Sequence, residues 1–121
     1  MKAPKSPASV KAAGRRLWTS VLSVYELEEH ETALLTEAVR TVDLLEDLAA
    51  AVRRDGVLID SPQGVRAHPA AVESRQQRIA LARLLAALRL PAGDEGDAQK
   101  DARPQRRVGA RGTYQIRGVA S

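Results

Sequence analysis

The stretch EEHETALLTEAVRTVDLLEDLAAAVRRDG, Glu28–Gly56, reads as one long helix from end to end. Glu28, Glu29 and Glu31 crowd its start, where the helix dipole favours negative charge, and Arg53 and Arg54 close it, where the dipole favours positive charge. Asp55-Gly56 follows, and Gly56 suits a left-handed C-cap. A helix over 28–54 spans roughly 40 Å at about 1.5 Å per residue. Leu34, Ala38, Thr41, Leu45, Leu48 and Val52 recur at 4-3-4-3-4 spacing, a heptad-like seam. Leu35, Val39, Val42 and Ala49 form a second stripe. One hairpin partner covers only one such stripe, so the second needs another helix, from the same chain or from a neighbouring subunit.

Working outward, residues 1–10, MKAPKSPASV, have little to bury and are expected to be a disordered basic arm. A short helix is expected over Lys11–Val24, with Leu17, Val21 and Val24 on one face and Trp18, Leu22 and Tyr25 beside it; Gly14 weakens its start. Beyond the long helix, residues 57–68 form a connector around the turn-rich Asp60-Ser61-Pro62-Gln63, which suits a small β-hairpin and an irregular loop equally. A third helix starts at Pro69, after His68, which caps it or packs the loop, and Pro91 stops it after Leu90. Leu81, Leu84, Leu85 and Leu88 share one face, Val72, Ile79, Ala86 and Leu90 another, and Arg75, Arg78 and Arg89 lie between them. Residues 92–121, an acidic linker followed by a glycine-interrupted basic segment, are expected to be a disordered tail.

The fold class that results is all-α. A short helix precedes a long antiparallel helical hairpin over residues 11–91, between a disordered arm and a disordered tail. There is more apolar stripe than one hairpin can hide. Oligomerisation through Leu34, Leu35, Val42, Leu45, Leu48, Leu81, Leu84, Leu85 and Leu88 is therefore expected.

Composition narrows the function. The 121 residues contain no Phe and no Cys, one Trp and two Tyr, so burial falls to Leu, Val and Ala, and disulfides and thiolate metal sites are excluded. No apolar run approaches the roughly 20 residues of a membrane span, and Met1–Gly14 lacks the apolar core of a signal peptide. An intracellular protein without membrane contact follows.

The formal net charge of +4 is unevenly spread. Residues 1–16 hold five basic residues and no acid; residues 17–60 hold ten acids against three arginines; residues 61–90 hold five arginines against Glu73. Such segregation suggests two faces or two partners, with nucleic acid the natural ligand of the basic parts. Lys11, Arg15 and Arg16, the third-helix Arg75, Arg78 and Arg83, and the tail's Arg106, Arg107 and Arg111 are the candidate DNA contacts. For the third-helix arginines, intersubunit ion pairs to the acidic middle helix are an equal alternative.

Catalytic signatures are missing: no phosphate loop, nucleophile elbow, zinc-protease helix or dinucleotide fingerprint occurs. His30 and His68 stand far apart without cysteine partners, so neither a metal nor another cofactor is expected.

The run LWTSVLSVYELEEHETALLTEAVRTVDLLEDL (Leu17–Leu48) resembles the phage terminase small-subunit family in its actinobacterial and actinophage form. So do Asp55-Gly56, Gly64-Val65 with His68-Pro69, ESRQQRIALARLLAALRLP (Glu73–Pro91) and RPQRRVGARGTYQIRG (Arg103–Gly118), in that order. The resemblance implies a ring of helical protomers in the bacterial host cytoplasm. Such a ring binds double-stranded viral DNA at the packaging start site and recruits and regulates the large ATPase-nuclease subunit, with no active site of its own. Some members carry a separate N-terminal helix-turn-helix. Here one short helix precedes the long one, which leaves the arm, the third-helix arginines and the tail as alternative DNA surfaces. A helical adaptor that binds a protein partner without DNA is the competing expectation.

Overall fold

The computed structural model describes residues 3–91 and 115–116. In chain order they form α1 (Ala12–Leu22), β1 (Tyr25–Glu26), α2 (Glu29–Asp55), β2 (Leu58–Ser61), β3 (Gly64–Ala67), α3 (Pro69–Leu88) and β4 (Gln115–Ile116). The chain is mostly helical, as expected. The all-α reading needs correcting for two small antiparallel sheets, β1–β4 and β2–β3.

Each helix begins for a different local reason. α2 carries its own capping box: Glu31 Oε1 accepts the Glu28 N–H at 2.7 Å, and the Glu28 side chain accepts from the Glu31 N–H in return. α3 starts with Pro69, whose missing N–H is no loss in a first turn, and His68 Nδ1 accepts the Ala70 N–H at 2.9 Å. The other ring nitrogen of His68 lies 2.9 Å from Asp55 Oδ2 at the end of α2. A ring protonated on Nε2 alone satisfies both contacts.

α1 has no side-chain cap of its own. Its N-cap is Lys11 and its third residue is Gly14, neither able to act as a cap. Asp43, from the middle of α2, does the work for both. Its Oδ2 accepts the Lys11 N–H at 2.6 Å and its Oδ1 accepts the Gly14 N–H at 2.7 Å. These are the two donors that a local capping box satisfies, so one carboxylate from a neighbouring helix stands in for two absent side chains.

The ends of the helices also differ from expectation. Gly56 has positive φ but an extended ψ (89°, 159°), so it turns the chain into β2 rather than forming a left-handed cap; its N–H still reaches the Val52 carbonyl at 2.7 Å. The left-handed position belongs instead to Arg89 (φ 56°, ψ 42°), which ends α3 two residues before Pro91.

α3 runs back along α2. The His68–Asp55 contact marks one end of this antiparallel pair, and Leu88, fully buried in one cluster with Leu35 and Val39, marks the other. α1 packs beside α2 at that second end, where Val10, Trp18, Val21 and Leu22 join the same cluster. The core is therefore at the foot of the hairpin. Between the two remaining stretches of α2 and α3, Leu45, Leu48, Val52, Leu81 and Leu84 are only half-buried.

The loop alternative for residues 57–68 gives way to the hairpin. Leu58 pairs with Ala67 and Asp60 with Val65 about the two-residue turn Pro62-Gln63, and the His68 N–H donates to the Val57 carbonyl at 2.7 Å. Val57, Leu58 and Val65 stand exposed on this tip.

The disordered arm needs correcting over its described part. Val10 is buried, the Val10 N–H donates to the Pro7 carbonyl, and the Trp18 indole N–H donates to the Pro4 carbonyl at 3.0 Å. The segment is held because a buried indole requires an acceptor. Most of residues 92–121 lies outside the described residues; within them, Gln115–Ile116 pairs antiparallel with Tyr25–Glu26 rather than being unstructured.

Candidate nucleic-acid and subunit surfaces

Two outward faces carry the basic side chains singled out from the sequence. The first is on α1. Ala12, Arg15, Arg16, Thr19 and Ser20 recur at helical spacing and line an open depression on its outer side. The helix contains no acid, so every polar group on this face is a cation or a hydroxyl. Thr19 and Ser20 were not singled out from the sequence. Their hydroxyls carry no charge signal, and only the position of the depression places them beside the arginines.

The three cations at this end are not equivalent. Lys11 Nζ lies 2.7 Å from Asp47 Oδ2, and that hydrogen bond and charge raise the ammonium above its ordinary pKa. Lys11 and Arg16 both line a narrow groove between α1 and α2 that contains Asp43, Glu46 and Asp47. Lys11 is thus engaged with its own protomer through an exposed ion pair. Arg15 spends one donor on the Val10 carbonyl at 2.8 Å and keeps the rest outward. Arg16 has no hydrogen-bond or ion-pair partner among the described residues.

The second face is on α3. Ala70, Ser74 and Leu88 are buried against the rest of the protomer. Opposite them Val72, Arg75, Ile79, Ala82 and Ala86 follow one another at 3-4-3-4 spacing, with Arg78, Arg83 and Arg89 beside them, all exposed. Val72 and Ile79 keep 42% and 45% of their surface in solvent, more than the leucines that face α2. Arg75, Arg78 and Arg83 have no ion-pair partner among the described residues. Arg75 and Arg89 lie about 21 Å apart along the axis.

The oligomerisation residues divide. Leu35 and Leu88 are fully buried inside one protomer, which corrects their assignment to a subunit interface: no partner can reach them. Leu34 packs on the same core. Val42, Leu45, Leu48, Leu81 and Leu84 are half-buried within the hairpin, and Leu85 is exposed at 37%. The second stripe of α2 finds its partner within the chain, since α1 brings Trp18, Val21 and Leu22 against Leu35 and Val39. Unsatisfied apolar surface is found instead on the outer side of α3, at Leu44 of α2 and on the β2–β3 tip.

Arg106, Arg107 and Arg111 lie outside the described residues. His30 is exposed, and no group of three potential metal-ligating side chains occurs among the described residues. No helix among them is long and apolar enough to cross a membrane. Comparison with known proteins gives no matching family model, no similar curated protein and no similar solved structure.

Proposed function

We propose that this chain is the small, non-catalytic subunit of a phage or prophage DNA-packaging terminase. On this reading it works as a ring in the host cytoplasm, binds double-stranded viral DNA and recruits the large ATPase-nuclease subunit. The family resemblance of Leu17–Leu48 and Glu73–Pro91 supplies the biological setting. The single observation that carries the DNA part is the acid-free outer face of α1, where Arg15, Arg16, Thr19 and Ser20 point the same way. Guanidinium forks and hydroxyls are the donors that backbone phosphates accept from, and such contacts position a protein on duplex without reading its sequence.

The test is duplex binding across a salt series. Each phosphate neutralised releases counterions, so affinity falls with salt with a slope of about 0.9 per contact. Arg16→Glu should weaken binding at every sequence and lower that slope by about one contact's worth. Duplex binding unchanged by this substitution, or no association even at low salt with the large subunit present, removes the reading.

One observation favours a helical adaptor without DNA binding. Val57, Leu58 and Val65 present apolar surface on a small hairpin that the protomer leaves uncovered. In the terminase reading this tip belongs to the contact with the large subunit. Loss of protein association but not DNA binding on Leu58→Ser and Val65→Ser separates the two roles.

A further inference from the structure

The N-terminal arm does not lead away from α1 but folds back along it. The Val10 N–H donates to the Pro7 carbonyl at 3.1 Å, closing a turn over Ala8-Ser9. On either side of that turn a side chain of α1 holds the arm by its backbone. Arg15 donates to the Val10 carbonyl at 2.8 Å, and the Trp18 indole N–H donates to the Pro4 carbonyl at 3.0 Å. Arg15 and Trp18 are three residues apart and so share one side of the helix. The arm is therefore laid along the side of α1 that borders its outer face, which Arg15 also lines. Lys5 follows the anchored Pro4 by one residue, is exposed, and has no ion-pair partner among the described residues.

Arm and helix share one charge character, since no acid precedes Glu26. Of the three acids in the neighbouring groove, Asp43 accepts two backbone N–H groups at the start of α1 and Asp47 holds Lys11. Glu46 alone is left against Lys5, Arg15 and Arg16. A hydroxyl is also available. Thr32, Thr36 and Thr41 of α2 each return theirs to the carbonyl four residues back, at 2.8–3.1 Å, whereas no such bond occupies Thr19 among the described residues. The apolar side of α1 is fully engaged, with Trp18, Val21 and Leu22 buried in the core, so it leaves nothing to enter a lipid surface. Cations and a free hydroxyl without exposed large apolar groups suit the phosphates of a nucleic-acid backbone.

We infer that the arm is a second phosphate-contacting strand, with Lys5 set beside the Arg15 and Arg16 face, and that Trp18 is the residue that positions it. This rests on the duplex reading of α1 and widens the contact from one helix to a helix and a strand. It also makes arm docking and duplex binding one linked equilibrium, because a duplex that touches Lys5 binds the docked arm better than the released one.

The chain has one Trp, so its indole N–H gives a single NMR signal that reports the anchor. In the full-length protein, saturating duplex should slow exchange of that proton several-fold. Lys5→Ala changes an exposed side chain and should leave exchange in the free protein as it was, while removing most of the slowing by duplex. A fourfold rise in salt should then cost the wild type about three to four times more affinity than the variant. Trp18→Phe keeps an aromatic ring in the core and removes the donor, with urea unfolding as the check on its fold. In that background Lys5→Ala should weaken duplex binding less than it does in the wild type, because the arm is no longer held.

Indole exchange that duplex leaves unchanged or quickens overturns the arm as a contact strand, and it is read without any core substitution. Equal effects of Lys5→Ala in both backgrounds overturn Trp18 as its positioning residue. In either case, duplex binding that still weakens with Arg16→Glu leaves the α1 reading in place. A wild type that does not bind duplex, whether or not it binds vesicles of phosphatidylglycerol, overturns both.

Discussion

At the residue scale, Gly14 and Asp43 explain one another. A glycine in the first turn of a helix costs about 1 kcal/mol of propensity against alanine. Here a Cβ would sit 2.6 Å from the Val39 carbonyl oxygen and 2.8 Å from both Asp43 Oδ2 and Val10 Cγ1. The Val39 carbonyl belongs to the backbone of α2 and cannot swing aside. Gly14→Ala should therefore lower the urea midpoint despite its better propensity, since overpacking costs about 1–3 kcal/mol. Asp43→Ala should cost about 2 kcal/mol or more, because two backbone N–H groups lose a charged acceptor. Asp43→Asn, which keeps one acceptor oxygen, should fall between, and faster amide exchange at Ala13–Leu17 than in α3 would locate the loss. From sequence alone Gly14 reads as a weakness and Asp43 as one more acid on an acidic helix. Their relation depends on which residues 29 positions apart meet, and no local pattern encodes that.

At the element scale, what was legible is what local chemistry dictates. The long helix, its charged ends and the proline start of α3 follow from dipole, cap and ring constraints that act within a turn. Stripe geometry also gave two apolar stripes on α2, but not the owner of the second, because no local pattern announces that α1 will lie against Leu35 and Val39. The hairpin end joining α2 to α3 has a further signature in acid. Asp55 accepts from Arg54 at 2.8 and 2.9 Å and faces His68, and these contacts, Arg54 first, hold its carboxyl well below the ordinary carboxylate range. A carboxyl depressed on folding stabilises above its unfolded pKa and loses that contribution as pH falls toward the folded one. The stability difference between wild type and Asp55→Asn should then hold from neutral pH down to about 4 and close below it. At the other end of α3, Arg89 occupies the left-handed region at a cost of about 1 kcal/mol for a non-glycine residue.

At the scale of the whole molecule, the tail ties back to the body at one known place. β4 pairs with β1, Ile116 opposite Tyr25 and Gln115 opposite Glu26, directly between α1 and α2. A two-residue ladder contributes little by itself. Its position matters more, since β1 is the joint through which α1 is set against the start of α2. A chain ending at Pro91 should therefore keep the α2–α3 hairpin, whose core and caps are all upstream, and lose protection at the joint. Hydrogen exchange should quicken at Tyr25 and Glu26 and through the last turn of α1, with Leu35, Val39 and Leu88 still slow. Unchanged exchange at Tyr25 and Glu26 would mean that the β1–β4 pairing adds nothing to the joint. Global loss of helicity would mean that the hairpin depends on residues after Pro91, and the foot of the hairpin could no longer be regarded as a self-sufficient core.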